Sequence, residues 1–323
     1  MMKEETFPAV GLSLVIPVYN EEGNVRLLWE RSVPVLDRLG VSWEMIFVDD
    51  GSTDGTFAEL GRLHSEDRRV RVTRLRTNFG QTVALAAGFD RCRGARVVTL
   101  DGDLQNDPAD IPAILAKMDE GYSVVSGWRQ KRKEPFLRRR LPSIIANWMI
   151  SRLSGVYLHD YGCTLKGYDR EVIRRLHIYG EMHRFLPALA SLAGATAAEV
   201  PVRDHPRRWG RSKYGLSRVG KVLADLVALQ MILRFSSRPR YWFAYLALPF
   251  ALLGGIMAVW AIYGYVRGAA GGLPIVLPGA TFLLFFLWIY LVSLGWFTEI
   301  VALTGEGGRG RLLSGVKEIR LDR

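Results

Sequence analysis

The chain has 323 residues, 49% of them hydrophobic, and a formal net charge of +11 at pH 7. Its two cysteines are too few for a disulfide framework or a cysteine-ligated metal site, which fits a reducing compartment. The excess of basic residues suggests an anionic partner, namely nucleic acid, an anionic membrane surface or a phosphorylated substrate. The first ten residues lack the basic and apolar regions of a secretory signal, so we expect none.

Short apolar segments alternate with helical ones over the first 130 residues. The apolar segments predict strands at 12–17, 43–48, 70–75, 95–100 and 123–128. The helical spacing predicts helices at 25–39, from 56 to about 65, at 82–92 and at 108–120. Strands that alternate with helices predict parallel βαβ units in a doubly wound α/β sheet, and a further αβ portion extends to about residue 202.

Two carboxylates follow the fourth predicted strand, at Asp101 and Asp103. Ligands of open α/β sheets bind beyond the carboxyl ends of strands, and a divalent cation carrying a diphosphate would relieve the repulsion between the two charges. Gly102 would let the backbone turn tightly, and Asp107 is expected to cap the helix that Pro108 starts. The alternative is a solvated turn, since many turns contain such a pair.

A second acidic cluster follows the predicted strand at 43–48 and includes Asp49, Asp50 and Asp54. Clusters at the ends of the second and fourth strands lie where a nucleotide would be held. The alternative for these aspartates is turn and capping duty, which we favour for Asp54 because a helix follows it immediately.

Basic segments with interleaved aromatic residues lie at 129–140 and 203–214. They flank an apolar, aromatic helical segment at 141–158 and precede an amphipathic helical segment at 215–235. This combination favours a membrane interface over a solvated surface. Nucleic acid is the competing partner, but the sequence contains no recognisable nucleic-acid-binding motif, so we expect no nucleic-acid partner.

Two uncharged segments, 241–266 and 273–298, predict transmembrane helices. A helix of ~26 residues is about 39 Å long, against about 30 Å of hydrocarbon. Basic residues are more numerous in the segments that flank the two spans than in the loop that links them. This distribution predicts a multi-pass protein of the cell (inner) membrane, with both termini and the catalytic domain in the cytosol. The predicted divisions are a cytosolic domain at 1–214, a juxtamembrane helix at 215–240, the spans within 241–298 and a cytosolic tail at 299–323.

Three ordered motifs, at residues 15–22, 49–56 and 101–105, resemble those of the family 2 glycosyltransferases of GT-A fold. The downstream segments 160–163 and 210–214 resemble the polyprenyl-phosphate glycosyltransferase branch, which includes dolichol-phosphate mannose synthase and bacterial undecaprenyl-phosphate sugar transferases. They look most like the enzymes that transfer 4-deoxy-4-formamido-arabinose. The resemblance covers nearly the whole chain, including the two-helix tail.

The resemblance implies a role for each matching residue. The donor nucleotide sugar would be held by Pro17, Tyr19, Glu21, Val48, Asp50, Asp101, Gly102 and Gln105. Mg²⁺ or Mn²⁺ and its diphosphate would face Asp103 and Gln105, and the phosphates and the acceptor would be held by Arg129, Arg207, Ser212 and Lys213. Asp103 and Asp160 would be catalytic. Because a lipid phosphate is already a strong nucleophile, Asp160 would alternatively orient the acceptor or help hold the metal.

The expected reaction is inverting transfer of a sugar from a nucleoside-diphosphate sugar to undecaprenyl phosphate, with a UDP donor favoured. A synthase of the dolichol-phosphate mannose type that uses GDP-mannose is one alternative. A membrane-anchored nucleotide-sugar-binding scaffold without catalytic activity is the other. The resemblance also suggests a homo-oligomer, such as a tetramer.

Overall fold

The computed structural model describes residues 10–130, 141–176, 182–192, 194–206, 239–267 and 276–304. The chain divides into two compact units, Met1–Val227 and Ala228–Arg323.

The first unit contains one seven-stranded sheet. Its strands are β1 Leu12–Val18, β2 Trp43–Asp49, β3 Val70–Arg74, β4 Arg96–Thr99, β5 Val124–Arg129, β6 Lys166–Asp169 and β7 Ala197–Val202. Its helices are α1 Glu22–Asp37, α2 Thr56–Glu66, α3 Gln81–Phe89, α4 Ile111–Asp119, α5 Leu141–Ser154, α6 Arg170–Arg174 and α7 Leu186–Leu192. Two 3₁₀ turns, Pro108–Asp110 and Met182–Phe185, precede α4 and α7.

The strand order is β3-β2-β1-β4-β6-β5-β7, and β6 runs antiparallel to both of its neighbours. The other neighbouring pairs are parallel, as the alternating pattern predicts. The first residue of β6, Lys166, lies opposite Thr99 of β4 and Ser126 of β5. Lys166 therefore lies next to the carboxyl end of β4 and beside the middle of β5.

Side chains of the central strands pack on both faces of the sheet. In β1, Leu14 and Ile16 belong to one buried cluster and Val15 belongs to the other. This alternation follows from the two-residue period of a strand, and burial on both faces explains why every residue of β1 except Ser13 is apolar. The second cluster also contains Ala84 and Leu85 of α3.

In its described residues, the second unit contains two helices, α8 Pro239–Val266 and α9 Val276–Thr304, that are long and apolar enough to cross a membrane. Only 11% and 0% of their most apolar windows are buried, unlike the core helices of a soluble protein. A Cβ added at Gly295 would lie 2.8 Å from Phe243 Cβ, so the two helices are in close contact. Helix α9 continues beyond residue 298, and the segment 215–238 of the predicted juxtamembrane helix lies outside the described residues.

Candidate donor-binding site

The carboxyl ends of β1 and β4 are adjacent in the sheet. After β1 the chain continues to β2 on one side of this pair, and after β4 it continues to β5 on the other side. This is the switch point at which open α/β sheets bind ligands. Both loops contain a residue with positive φ, Asn20 at +56° and Leu104 at +62°. Leu104 is buried, and because its side chain disfavours the left-handed region, this conformation is strained and is maintained by the surrounding residues.

The two oxygens of Asp101 are engaged by other parts of the domain. Oδ1 accepts a hydrogen bond from Gln81 Nε2 at 2.7 Å, and Oδ2 accepts one from Thr164 Oγ1 at 2.7 Å. Burial, reinforced by the charge of Asp103, raises the pKa of Asp101 to about 7, although the Thr164 hydrogen bond and Arg129 act against this. Asp101 therefore joins the ends of β4, α3 and the segment before β6.

The Asp103 carboxylate is nearly buried, and its Oδ1 accepts a hydrogen bond from Gln105 N at 3.1 Å. The carbonyl oxygen of Gln105 accepts a hydrogen bond from His205 N at 2.8 Å, which fixes the turn from its other side. A carboxylate and an amide oxygen two residues apart fit Mg²⁺ or Mn²⁺, which are bound by few protein oxygens together with substrate phosphates. No group of three or more acidic, histidine or cysteine side chains among the described residues could hold a metal without a substrate.

Gly102 packs directly against the end of β1. A Cβ at this position would lie 2.6 Å from Val18 Cγ1 and 3.5 Å from Pro17 O. The absence of a side chain therefore allows the turn containing Asp101 and Asp103 to approach β1.

The end of β2 is tied to the start of α3 by Asp50. Its Oδ1 accepts a hydrogen bond from Phe79 N at 2.8 Å, and its Oδ2 accepts one from Gly80 N at 2.9 Å. The side chain of Val48 is fully buried in the second core cluster, so a nucleotide could meet only its backbone.

The loop after β1 is hydrogen-bonded to the segment that follows β2. The Glu21 backbone N–H donates to Thr56 Oγ1 at 2.8 Å, and Asn20 N donates to Ser52 Oγ at 2.9 Å. Tyr19 and Glu21 lie half-buried in this loop, and Pro17 lies opposite Val48 in the sheet. The predicted donor residues thus meet at one edge of the sheet.

Asp54 has the local role favoured for it, because its Oδ1 accepts a hydrogen bond from Thr56 N at 3.0 Å at the start of α2. Asp107 likewise caps the 3₁₀ turn before α4, where its Oδ1 accepts from Ala109 N at 2.9 Å. The predicted cap at Asp107 is confirmed, whereas the N-cap of α2 is Gly55, and Asp54 stabilises the turn one residue before it.

Arg129 and Asp160 form a buried ion pair with two contacts. Arg129 Nε donates to Asp160 Oδ2 at 2.8 Å, and Arg129 Nη2 donates to Oδ1 at 3.2 Å. Burial lowers the pKa of Arg129, but the hydrogen bonds and the negative charge of Asp160 outweigh it and raise the pKa overall. Arg207, Ser212 and Lys213, the other predicted phosphate and acceptor ligands, lie outside the described residues.

Three further residues line the site that no sequence motif indicated, namely Thr164, Lys166 and His183. Lys166 is buried, and burial lowers its pKa to about 8 although the nearby carboxylates of Asp160 and Asp101 oppose this. Together with Thr164 and His183, it lines a cavity of about 10 Å³ behind Asp101. Such a volume holds about one water molecule. The segment that carries Lys166 and Thr164 is brought here by the antiparallel strand β6, which the sequence pattern did not reveal.

The chain matches known proteins in sequence and in structure. Residues 13–176 match the family described as Glycosyl transferase family 2. The chain is 38% identical over 302 residues to the dodecaprenyl-phosphate galacturonate synthase of Rhizobium johnstonii, covering 92% of this chain and 89% of that protein. It is 38% identical over 221 residues to the undecaprenyl-phosphate 4-deoxy-4-formamido-L-arabinose transferase of Salmonella paratyphi B, covering 68% of this chain and 67% of that protein.

Among solved structures, the chain resembles glucosyl-3-phosphoglycerate synthase from Mycobacterium tuberculosis in complex with Mn²⁺, uridine diphosphate and phosphoglyceric acid. The TM-score is 0.53 at 21% identity, and the match covers 69% of this chain and 78% of that chain. This likeness confirms the predicted GT-A fold. The two sequence relatives confirm the predicted resemblance to the polyprenyl-phosphate branch, and this chain belongs to glycosyltransferase family 2.

Proposed function

We propose that this enzyme transfers a sugar from a nucleoside-diphosphate sugar, with a UDP-sugar favoured, to a polyprenyl phosphate at the cytosolic face of the membrane. The proposal is carried by the 38% identity, over 92% of the chain, to a relative that is named for synthesis of a polyprenyl-phosphate sugar. The oxygen ligands at the switch point, Asp103 and Gln105, support a diphosphate-bearing donor.

In the proposed reaction, an oxygen of the polyprenyl phosphate attacks the anomeric carbon of the donor sugar. The bond from that carbon to the diphosphate oxygen breaks, its electron pair stays with the nucleoside diphosphate, and the anomeric centre inverts. The second pKa of a phosphate monoester is about 6, so the acceptor is already ionised at neutral pH. The protein therefore needs to bind and orient two anions more than it needs to remove a proton.

The charges of both substrates require neutralisation. Asp103 and Gln105 would hold Mg²⁺ or Mn²⁺, which when bound stabilises the charge on the departing diphosphate. Arg129 is suited to hold a phosphate, because a guanidinium can donate two parallel hydrogen bonds to phosphate oxygens. Arg207, Ser212 and Lys213 remain predicted ligands of the phosphates and the acceptor.

The two apolar helices support a specific membrane arrangement. We propose that α8 and α9 cross the inner membrane as a hairpin, with both termini and the catalytic domain in the cytosol. Exposed aromatic side chains such as Trp148 and Tyr157 near α5 support an interfacial position for the first unit.

The test is a sugar-transfer assay with the full chain in detergent, undecaprenyl phosphate, Mn²⁺ or Mg²⁺ and radiolabelled UDP- and GDP-sugars. Asp103→Asn should lower transfer by at least about 100-fold, because it removes a metal ligand and a buried charge. EDTA should abolish transfer, and added Mn²⁺ should restore it. Asp119→Asn, which alters an exposed acid on α4, is the matched control and should leave transfer unchanged.

The alternatives give different results in the same assay. Nucleotide binding without transfer from any donor would favour the non-catalytic scaffold, and transfer from GDP-mannose alone would favour the dolichol-phosphate mannose type. Release of free sugar without a lipid product would mean that the donor is correct and the acceptor is wrong.

A further inference from the structure

Asp160, the residue that resembles a catalytic aspartate, is bound on both of its oxygens. Its Oδ2 accepts from Arg129 Nε at 2.8 Å, and its Oδ1 accepts from Arg129 Nη2 at 3.2 Å and from Gly162 N at 3.1 Å. The side chain is 4% exposed, and that of Arg129 is 18% exposed. Removing either partner would leave a buried charge without compensation.

The turn that carries Asp160 is fixed from several directions. Lys166 Nζ donates to the carbonyl oxygen of Tyr161 at 3.0 Å, and Tyr161 Oη donates to Val156 O at 2.6 Å. Ser126 Oγ of β5 lies 3.4 Å from the carbonyl oxygen of Asp160. Asp160 is therefore held in place by the same sheet edge that carries Arg129.

The ion pair uses only one side of the guanidinium. Nε and Nη2 of Arg129 face Asp160, whereas Nη1 has no hydrogen-bond partner among the described residues. Without the carboxylate, rotation about the long side chain would spread this donor over many positions. With it, the remaining N–H groups point in one direction from the carboxyl end of β5.

We infer that Asp160 is a positioning residue, which orients Arg129 toward a substrate phosphate and takes no proton from the acceptor. The inference rests on the proposed function. A carboxylate engaged by Arg129 is stabilised in its ionised form and is a weak base. The acceptor phosphate, with a pKa of about 6, needs no base at neutral pH.

The experiment is a double-mutant cycle of Asp160→Asn and Arg129→Gln in the transfer assay, with kcat/KM measured from pH 5 to pH 9. Asp160→Asn should lower kcat/KM about 10- to 100-fold, because misplacing a binding group costs this much. In the Arg129→Gln background it should lower kcat/KM further by less than about twofold, because the two residues act as one unit. An equal loss in both backgrounds would overturn the inference.

The pH profile gives an independent test that needs only Arg129→Gln. If Asp160 were the base, loss of its cationic partner would raise its pKa and move the acidic limb of the profile to higher pH. We expect that limb to stay near pH ~6, where the acceptor phosphate titrates. A shifted limb would overturn the inference even if Asp160→Asn failed to fold.

The control is Glu44→Gln, which alters another buried carboxylate that pairs with an arginine, Arg71, at 2.8 Å. Glu44 lies at the start of β2, at the opposite edge of the sheet, so its loss should lower the melting temperature and leave KM unchanged. Absence of transfer by the wild type would refute the proposed function. Transfer by the wild type with additive mutant effects would refute only the role of Asp160.

Discussion

At the scale of single residues, Gly102 links the acidic turn to β1. Because a Cβ there would lie 2.6 Å from Val18 Cγ1, which is buried in a strand, Gly102→Ala should force the turn or the strand to shift. We expect a loss of about 1–3 kcal/mol in unfolding free energy, the usual cost of overpacking. Chemical denaturation would measure this loss, and calorimetry should show weaker UDP binding in Mn²⁺.

The second variant that tests this contact is Val18→Ala. It removes Cγ1, so the double variant Gly102→Ala with Val18→Ala should recover UDP binding relative to Gly102→Ala alone. Gly23→Ala is the matched control, since a Cβ at that glycine meets nothing within 4 Å. If the double variant binds UDP no better than Gly102→Ala, steric contact with Val18 is not the reason for the glycine.

At the scale of secondary-structure elements, the sequence predicted β1 to β5 within a few residues. Four of these strands are largely buried and rich in apolar residues, and β3 is only partly buried but contains Val70 and Val72. It did not predict the direction of β6, since Lys166–Asp169 is four residues long and contains a buried lysine. It placed Asp101 and Asp103 at a strand end correctly. It could not pair Arg129 with Asp160, because that contact depends on how β5 and the segment before β6 meet.

Asp50 joins two elements, the end of β2 and the start of α3. Both carboxylate oxygens accept backbone N–H groups, so Asp50→Asn would place an amide NH₂ against one of these donors. Leaving one partly buried donor without its acceptor should lower the unfolding free energy by about 1 kcal/mol. Denaturant titration would measure the loss, and UDP affinity should fall with it.

The matched control for Asp50 is Asp90→Asn, at an exposed position just beyond the other end of α3. It should change neither the stability nor the UDP affinity. If Asp50→Asn lost UDP affinity at unchanged stability, Asp50 would act on the nucleotide alone and would not anchor α3.

At the scale of the whole molecule, the distribution of charge predicts how the chain crosses the membrane. Basic residues before the first span and after the second, such as Arg238, Arg240 and Lys317, outnumber the single Arg267 of the linking loop. Lysine and arginine are retained on the cytosolic side, so the loop should face outward and both flanks inward.

Single introduced cysteines can test this arrangement, because the native residues Cys92 and Cys163 are buried and should give little background. Tyr265→Cys, at an 87% exposed position near the loop, should react with a membrane-impermeant maleimide in intact cells. Lys317→Cys should react only after the inner membrane is permeabilised. The reverse pattern would place the catalytic domain outside, away from cytosolic nucleotide sugars, and the proposed donor would then have to be abandoned. Labelling of both positions in intact cells would mean that the two helices do not form a membrane-spanning hairpin.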